Sequence, residues 1–488
     1  MEPWRELLAI VPQALAYAGI VAEVVGLCLI PFVLLRRKDP SATIAWILVL
    51  IFLPAVGAVL FLLFGRSRVR WSARHKREAD AALTGHLIGF RADPGSVRPA
   101  PVSLAGHGAG LFQVSQVLSR SRATMGNRVD VLLGGAATYA ALGEAIDAAE
   151  HHVHAEYYLI RPDSTGEWFF DKLVAARRRG VQVRLLADGW GCLALPRSWV
   201  RHLRDEGVRM TWFFPLRSML LQPVSLRNHR KIVVVDGKVG FTGGINIGDE
   251  YLGTMPSVGA WRDTHVRIQG PGVADLQSVF LRDWYFSSRE MVQDARFFPT
   301  HLEPAGDAVV AVLTSGPDTD SNAIHRIFYG AISVARQRVL ITTPYFVPDH
   351  AIVVALQMAA LQGVDVHLLL PAKSNHTVTF HAGRSFYEDL IEAGVHVHEY
   401  LPGMIHAKTL VVDGRISLVG SANMDLRSFR LNFEVHALIA DDETARTLEQ
   451  AFERDLEHTR EVSLDAWRKR SSLTRIAEGG SRLLSPLL

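Results

Sequence analysis

Cysteine is nearly absent: the 488 residues hold two. Cys28 lies inside an apolar run and Cys192 far beyond it, so no disulfide between them is expected and nothing requires an oxidising compartment. No Cys or His set has the spacing of a zinc site. Net charge is also scarce, since 52 Lys+Arg against 49 Asp+Glu leave +3. That is too little for a surface built to hold nucleic-acid phosphates.

Apolar sequence, by contrast, is plentiful and local. The mean hydropathy of +0.14 is raised by Ala14–Leu35, whose one charge is Glu23, and by Ala42–Phe64, which has none. Each is long enough to cross ~30 Å of hydrocarbon as a helix. A signal peptide would have a shorter apolar core and a cleavage site, and a second full-length run after Arg36–Pro40 argues against one. The expectation is a membrane-spanning helical hairpin. Arg66, Arg68, Arg70, Arg74, Lys76 and Arg77 follow it, which favours the cytoplasmic side for the rest of the chain, although the connecting turn is basic too. Such a stretch suits an anionic membrane surface, at about 1 kcal/mol per residue near the lipid.

The rest of the sequence states one pattern twice. NHRKIVVVDGKVGFTGGIN (Asn228–Asn246) and IHAKTLVVDGRISLVGSAN (Ile405–Asn423) place His229, Lys231, Asp236, Gly243 and Asn246 at the spacing of His406, Lys408, Asp413, Gly420 and Asn423. The repeat extends outward. Ala145–Asp163 aligns without gaps on Ala331–Asp349, Arg177–Gly189 on Ala360–Ala372, and Trp261–Gly270 parallels Asn432–Ala440, setting Asp263 opposite Glu434 and His265 opposite His436. Strands alternating with helices read as an α/β fold of two tandem repeats, mixed sheets flanked by helices, in one bilobed catalytic region. The expected segments are 1–65 (two transmembrane helices), 66–105 (basic linker), 106–297 and 298–462 (the repeats), and 463–488 (an amphipathic tail). Each Asp-Gly between apolar runs predicts a tight hairpin.

Alternation along a strand puts His229 and Lys231 on one face, and likewise His406 and Lys408. Two such half-sites across one cleft suit phosphodiester chemistry: one neutral imidazole attacks phosphorus, and the other, protonated, gives its proton to the leaving alkoxide. Lys231 and Lys408 would neutralise phosphoryl oxygens, with Asn246 and Asn423 adding hydrogen bonds and Gly243, Gly244, Gly420 and Ser421 admitting backbone close to the phosphate. Asp263 and Glu434 stand where a carboxylate would orient each histidine. No metal or cofactor is expected, because the lysines supply the charge a divalent ion would bring.

Paired HxKxxxxD motifs followed by GGxN or GSxN resemble the phospholipase D superfamily. The likeness is closer to bacterial cardiolipin synthases, carried by Arg36–Ser67, HAEYYLIRPDSTG (His154–Gly166), GGINIGDEYLG, WRDTHVRI, TPYFVPD (Thr343–Asp349) and the terminal LLSPLL. That resemblance implies His229, Lys231, Asp236, His406, Lys408 and Asp413 as catalytic, with His229 attacking and His406 as acid and base. It also implies two phosphatidylglycerol molecules as substrates at an anionic phospholipid membrane, and a multi-pass protein of the cell inner membrane. A phospholipase D-type hydrolase or a membrane-tethered nuclease would use the same half-sites. His151, His152 and His154 read as surface histidines, and His265 and His436 as packing beside the site. Trp190, Tyr157, Tyr345 and Phe346 read either as an apolar mouth for acyl chains or as core.

Overall fold

The computed structural model describes residues 3–35, 40–61, 76, 108–119, 121–215, 226–253, 259–292, 294–299, 304–319, 321–374, 376–483 and 485. The chain divides into an N-terminal unit within Met1–Ser72 and a larger unit from Ala73 onward.

The N-terminal unit is α1 (Pro3–Leu34), α2 (Pro40–Phe52) and α3 (Pro54–Leu60). The second apolar run is therefore not one helix. It breaks at Leu53 because Pro54, at the first turn of α3, has no N–H to continue the ladder. Gly26 lets α1 approach α2, since a Cβ there would come within 2.8 Å of the Leu50 carbonyl. Val33, Leu50 and Phe61 are buried together, while Ile20, Val24, Leu27, Phe32, Leu48 and Phe52 are exposed. Among the described residues no helix is long and apolar enough to cross a membrane, and Leu62–Phe64 of the second expected span lie outside them.

In the larger unit the first repeat supplies β1 (Thr124–Leu133), β2 (His152–Tyr157), β3 (Gln182–Asp188), β4 (Arg209–Phe213), β5 (Arg227–Asn228), β6 (Lys231–Val235), β7 (Val239–Gly243), β8 (Ala260–Arg262) and β9 (Thr264–Gln269). The second supplies β10 (Ala308–Ser315), β11 (Arg338–Thr342), β12 (Phe346–Val347), β13 (Asp365–Pro371), β14 (His396–Tyr400), β15 (Gly403–Ile405), β16 (Thr409–Val412), β17 (Ile416–Gly420), β18 (Met424–Asp425), β19 (Asn432–Ala440) and β20 (Thr459–Glu461).

Fifteen of these strands form one sheet in the order β20-β14-β13-β11-β16-β17-β19-β10-β1-β9-β7-β6-β2-β3-β4, β5 joins it at β19, and β12-β18 and β15-β8 are separate pairs. Read outward from its middle, the order is the same in both halves: β1-β9-β7-β6-β2-β3-β4 against β10-β19-β17-β16-β11-β13-β14. The halves meet where β1 pairs antiparallel with β10, Thr124 opposite Val310 and Asn127 opposite Ala308, as a twofold relation requires. Buried Asn127 seals the irregular step there, donating to the Ala308 and Thr124 carbonyls and accepting from Gly272 N–H. The expected mixed pairing is present: β2-β3-β4 are parallel and β6-β7-β9 antiparallel.

Both Asp-Gly turns form. Asp236 and Gly237 have φ of +54° and +65°, Asp413 and Gly414 +52° and +62°, the pair of left-handed residues a type I′ hairpin needs. The histidines of β2 are a correction. His152 and His154 are fully buried, not at the surface, because β2 lies between β3 and β6 with helices covering the sheet. His154 is fixed between Arg184 and Gln277 and stacks on Phe280.

Candidate active site

The two repeats exchange short strands around the site. β5 leaves the first repeat to pair in parallel with β19 of the second, Phe433 opposite Asn228, and His229 N–H donates to the Phe433 carbonyl. In the same way β15 pairs with β8 of the first repeat, Ile405 opposite Arg262, and His406 N–H donates to the Arg262 carbonyl at 2.6 Å. Each motif histidine is thereby carried to the carboxylate of the opposite repeat. His229 Nδ1 lies 3.0 Å from Glu434 Oε2, and His406 Nδ1 lies 2.7 Å from Asp263 Oδ2.

An acceptor at Nδ1 makes that nitrogen the protonated one and leaves the lone pair on Nε2. The two rings are not equivalent. Lys408 Nζ lies 2.9 Å from Nδ1 and 3.2 Å from Nε2 of His406, whereas among the described residues the His229 ring is met at Nδ1, by Glu434 and the Ser421 carbonyl. Lys231 donates to the His229 carbonyl at 2.6 Å, and Lys408 does the same to that of His406. Tyr158 meets His229 edge-on at 5.0 Å, and Trp261, Tyr251 and Tyr345 flank His406.

Burial dominates the electrostatics. It pushes Lys231 down to about 7 and Lys408 to about 8, against the pull of Glu434 and Asp263. His406 is lowered to about 3 by burial and then by Lys408, and His229 is lowered by burial as well. Burial would raise the carboxylates, yet His229 and Lys231 bring Glu434 down to about 2, and Lys408 and His406 keep Asp263 low. These shifts give two neutral imidazoles, two carboxylates and two weakened ammonium groups. A phosphodiester anion entering the site would raise the pKa of every cation present.

Other residues named from the sequence divide. Asp236 and Asp413 are not brought to the histidines. They follow the last residues of β6 and β16, roughly 16 Å along an extended strand beyond Lys231 and Lys408. There Asp236 accepts the N–H groups of Glu150, His151 and His152, and Asp413 those of Arg336, Gln337 and Arg338. They fix the entry of β2 and β11.

The small residues of the motif stand against the orienting groups. A Cβ at Gly243 would meet His265 and one at Gly420 would meet His436, while one at Gly244 would run into the Asp263 carboxylate. Ser421, wholly buried, donates to Glu434 Oε2 at 2.5 Å. These positions are small to make room for the orienting carboxylates and for two histidines that hold the loops. His265 Nδ1 accepts from Ile245 N–H at 3.4 Å, and His436 Nε2 from Ala422 N–H at 3.0 Å. Burial lowers them to about 3 and about 4, so both accept as neutral rings.

Asn246 is committed to the scaffold, donating to Tyr251 Oη and accepting from Leu159 N–H. Asn423 is buried with an unpartnered Oδ1. Tyr157 and Phe346 belong to the core and Trp190 is exposed, so Tyr345 is the aromatic of that set near a histidine. Tyr158 was missed, because Tyr157 and Tyr158 look alike until strand parity turns one inward.

A buried ion network behind His229 was missed too. Asp283 receives Lys76 at 2.5 Å and Arg230 on its other oxygen, and Arg230 also donates to the Glu434 carbonyl. Lys76 is 2% exposed and lies 4.1 Å over the Phe433 ring, so it does not serve a membrane surface as its basic neighbourhood implied. The tail behaves as a docked helix on one side: Trp467 stacks on Tyr387 and Glu478 takes Arg384 and Arg470. Leu473, Ile476 and Leu483 remain exposed.

Comparison with known proteins agrees with this architecture. The family model described as cardiolipin synthase, PLD-like domain, matches residues 142–284 and 329–456, and a phospholipase D-nuclease N-terminal model matches 26–66. The chain is 39% identical over 458 residues to a protein of Alkalihalophilus pseudofirmus named cardiolipin synthase, covering 93% of this chain and 90% of that one. It is 38% identical over 457 residues to one of that name from Geobacillus kaustophilus, with 93% and 90% covered. The crystal structure of phosphatidylserine synthase from Haemophilus influenzae shares the fold, with a TM-score of 0.61 at 15% identity over 78% of this chain and 99% of that one. The chain belongs to the cardiolipin synthase family of the phospholipase D superfamily.

Proposed function

We infer that this protein is a phosphatidyltransferase that condenses two phosphatidylglycerol molecules into cardiolipin and glycerol. The observation that carries the mechanism is the crosswise pairing of His229 with Glu434 and His406 with Asp263. His229 Nε2 attacks the phosphorus of the first lipid, its P–O bond to the headgroup glycerol breaks, and His406, protonated, gives its proton to the leaving alkoxide. A headgroup hydroxyl of the second lipid then attacks phosphorus, His406 takes its proton, and the P–N bond to His229 breaks. Lys231 and Lys408 hold the phosphoryl oxygens, with the amide N–H of Asn423 as a further donor. His229 is assigned the attack, a choice supported by Lys408 lying against both ring nitrogens of His406 while no described lysine meets those of His229.

The chain works at a membrane. Two apolar segments, Ala14–Leu35 and Ala42–Phe64, span the inner membrane with the repeats on the cytoplasmic side. The exposed apolar faces of α1 and α2 and the Leu473, Ile476 and Leu483 row of the tail support contact with lipid. Purified protein in detergent, given labelled phosphatidylglycerol without added metal, should yield cardiolipin and glycerol; phosphatidic acid as the sole product would overturn the transferase reading. Quenching during turnover with denaturant at alkaline pH should trap a label on His229 that acid then releases. Trapping on His406 in the His229→Ala variant would reverse the roles.

A further inference from the structure

The outer part of the second repeat's sheet carries side chains that the phosphodiester chemistry does not use. Asp365 and His367 alternate on β13, and His396 and His398 on β14, with His367 directly opposite His396. Glu461 on β20 stands opposite His398. Period two puts all five on one face. One donor atom from each of Asp365, His367 and His396 lies within 4.8 Å of the other two.

We propose that Asp365, His367 and His396 bind one divalent transition-metal ion of the zinc class. Two imidazoles and a carboxylate are a donor set such ions select. The surroundings supply what turns histidines into ligands, a partner for the second ring nitrogen. His396 Nδ1 is 2.7 Å from Glu461 Oε1, so its Nε2 carries a lone pair. His367 Nε2 is 2.8 Å from Asp365 Oδ1 and its Nδ1 3.0 Å from His398 Nε2. In the metal-free ring the Nε2 proton bridges to Asp365. When an ion takes the Nε2 lone pair, the single ring proton moves to Nδ1 and is donated to His398 Nε2, so the ring stays neutral and no net proton is released. Coordination would clamp β13 to β14 and, through Glu461, to the edge strand β20. Arg338 opposes it, its Nε 3.6 Å from Asp365 Oδ2, but Arg338 also has Glu449 and Glu453 to turn to.

The test uses the full chain in detergent, freed of metal by a chelator and titrated with zinc by calorimetry, with thermal melts alongside. Expected is saturable uptake of one ion that raises the melting temperature. The His367→Gln/His396→Gln double variant should lose both the uptake and the shift while still making cardiolipin. The His229→Ala/His406→Ala variant should lose turnover and keep the uptake, which separates this site from the catalytic one. Arg338→Gln, which leaves the ligands intact, should tighten binding several-fold. Absence of saturable uptake in the natural chain, or uptake unchanged in the first double variant, would overturn the proposal.

Discussion

Glu434 of the second repeat holds His229 of the first, Oε2 to Nδ1 at 3.0 Å, and the reciprocal pair, Asp263 with His406, crosses the other way. Neither repeat therefore contains a complete half-site. Glu434→Gln keeps the shape but removes the charge that fixes the tautomer and steadies the imidazolium. Turnover should fall by about 10²–10⁴-fold, the range seen when a histidine loses its carboxylate. The same change removes a charge that raises Lys231, so the alkaline limb of kcat/KM should move to lower pH. A variant slower by that factor with an unmoved limb would refute the coupling.

The lysines set the pH dependence. Both are lowered by burial, Lys231 to about 7 and Lys408 to about 8. A lowered lysine pKa means charge is lost at lower pH, so kcat/KM, which reports the free enzyme, should fall as pH rises through that window. Bound phosphodiester stabilises the ammonium forms, so the limb in kcat should lie at higher pH. Initial rates across pH in nonionic micelles would show whether the two limbs separate in that direction.

The matched positions Gly244 and Ser421 should respond unequally. Gly244→Ala drives a Cβ into the Asp263 carboxylate, displacing it from His406, and should reduce turnover by roughly 10²-fold. Ser421→Gly deletes one hydrogen bond to Glu434, worth about 1.5–3 kcal/mol for a bond to a charged group. Steady-state rates on both variants decide it: equal losses would mean these residues touch the phosphate directly.

How legible all this was depends on distance along the chain. The His-x-Lys pairs, the Asp-Gly hairpins and the candidate carboxylates could be read, because strand periodicity and turn chemistry are local. That Glu434 serves His229 could not, because it follows from β5 and β15 crossing to foreign strands, and nothing near Asn228 or Ile405 names their partners. His152 and His154 were misjudged for the same reason, since burial on both faces depends on which strands flank β2. The small residues at Gly244 and Ser421 suggest a phosphate contact in the sequence, and their packing against Asp263 and Glu434 is visible only in the fold.

Asp236 and Asp413 belong to the recurring motif, yet they satisfy backbone N–H groups at the far end of the strand. Asp236→Asn keeps a residue that tolerates positive φ but loses the charge-assisted acceptors, so stability at neutral pH should fall by about 1–3 kcal/mol with little change in kcat per folded molecule. Burial would raise the Asp236 carboxyl, but the N–H groups of Glu150, His152 and His151 bring it below the ordinary value. A depressed carboxyl stabilises the fold above its unfolded pKa and loses that contribution as pH falls through the folded one. The stability gap between natural and variant chains should therefore narrow below about pH 4. Denaturant melts at neutral and acid pH, read beside turnover, would expose a chemical role if kcat collapsed while stability held.

Lys76 gives the last prediction. Asp283, without exposure to water, is shared between Lys76 and Arg230, and Arg230 ties that pair to the backbone of Glu434. Removing one partner of a buried ion pair commonly destabilises by about 3–5 kcal/mol, because the remaining charge is left uncompensated. Lys76→Met should approach that loss and should also lower kcat, since Arg230 would turn toward Asp283 and release the Glu434 carbonyl. Lys76→Met/Asp283→Asn removes one charge of each sign, leaves Arg230 the amide oxygen at position 283 and the charge of Asp318, and should recover part of the stability. If the double variant is no more stable than the single one, the lysine is not serving Asp283, and its link to the His229 cradle fails with it.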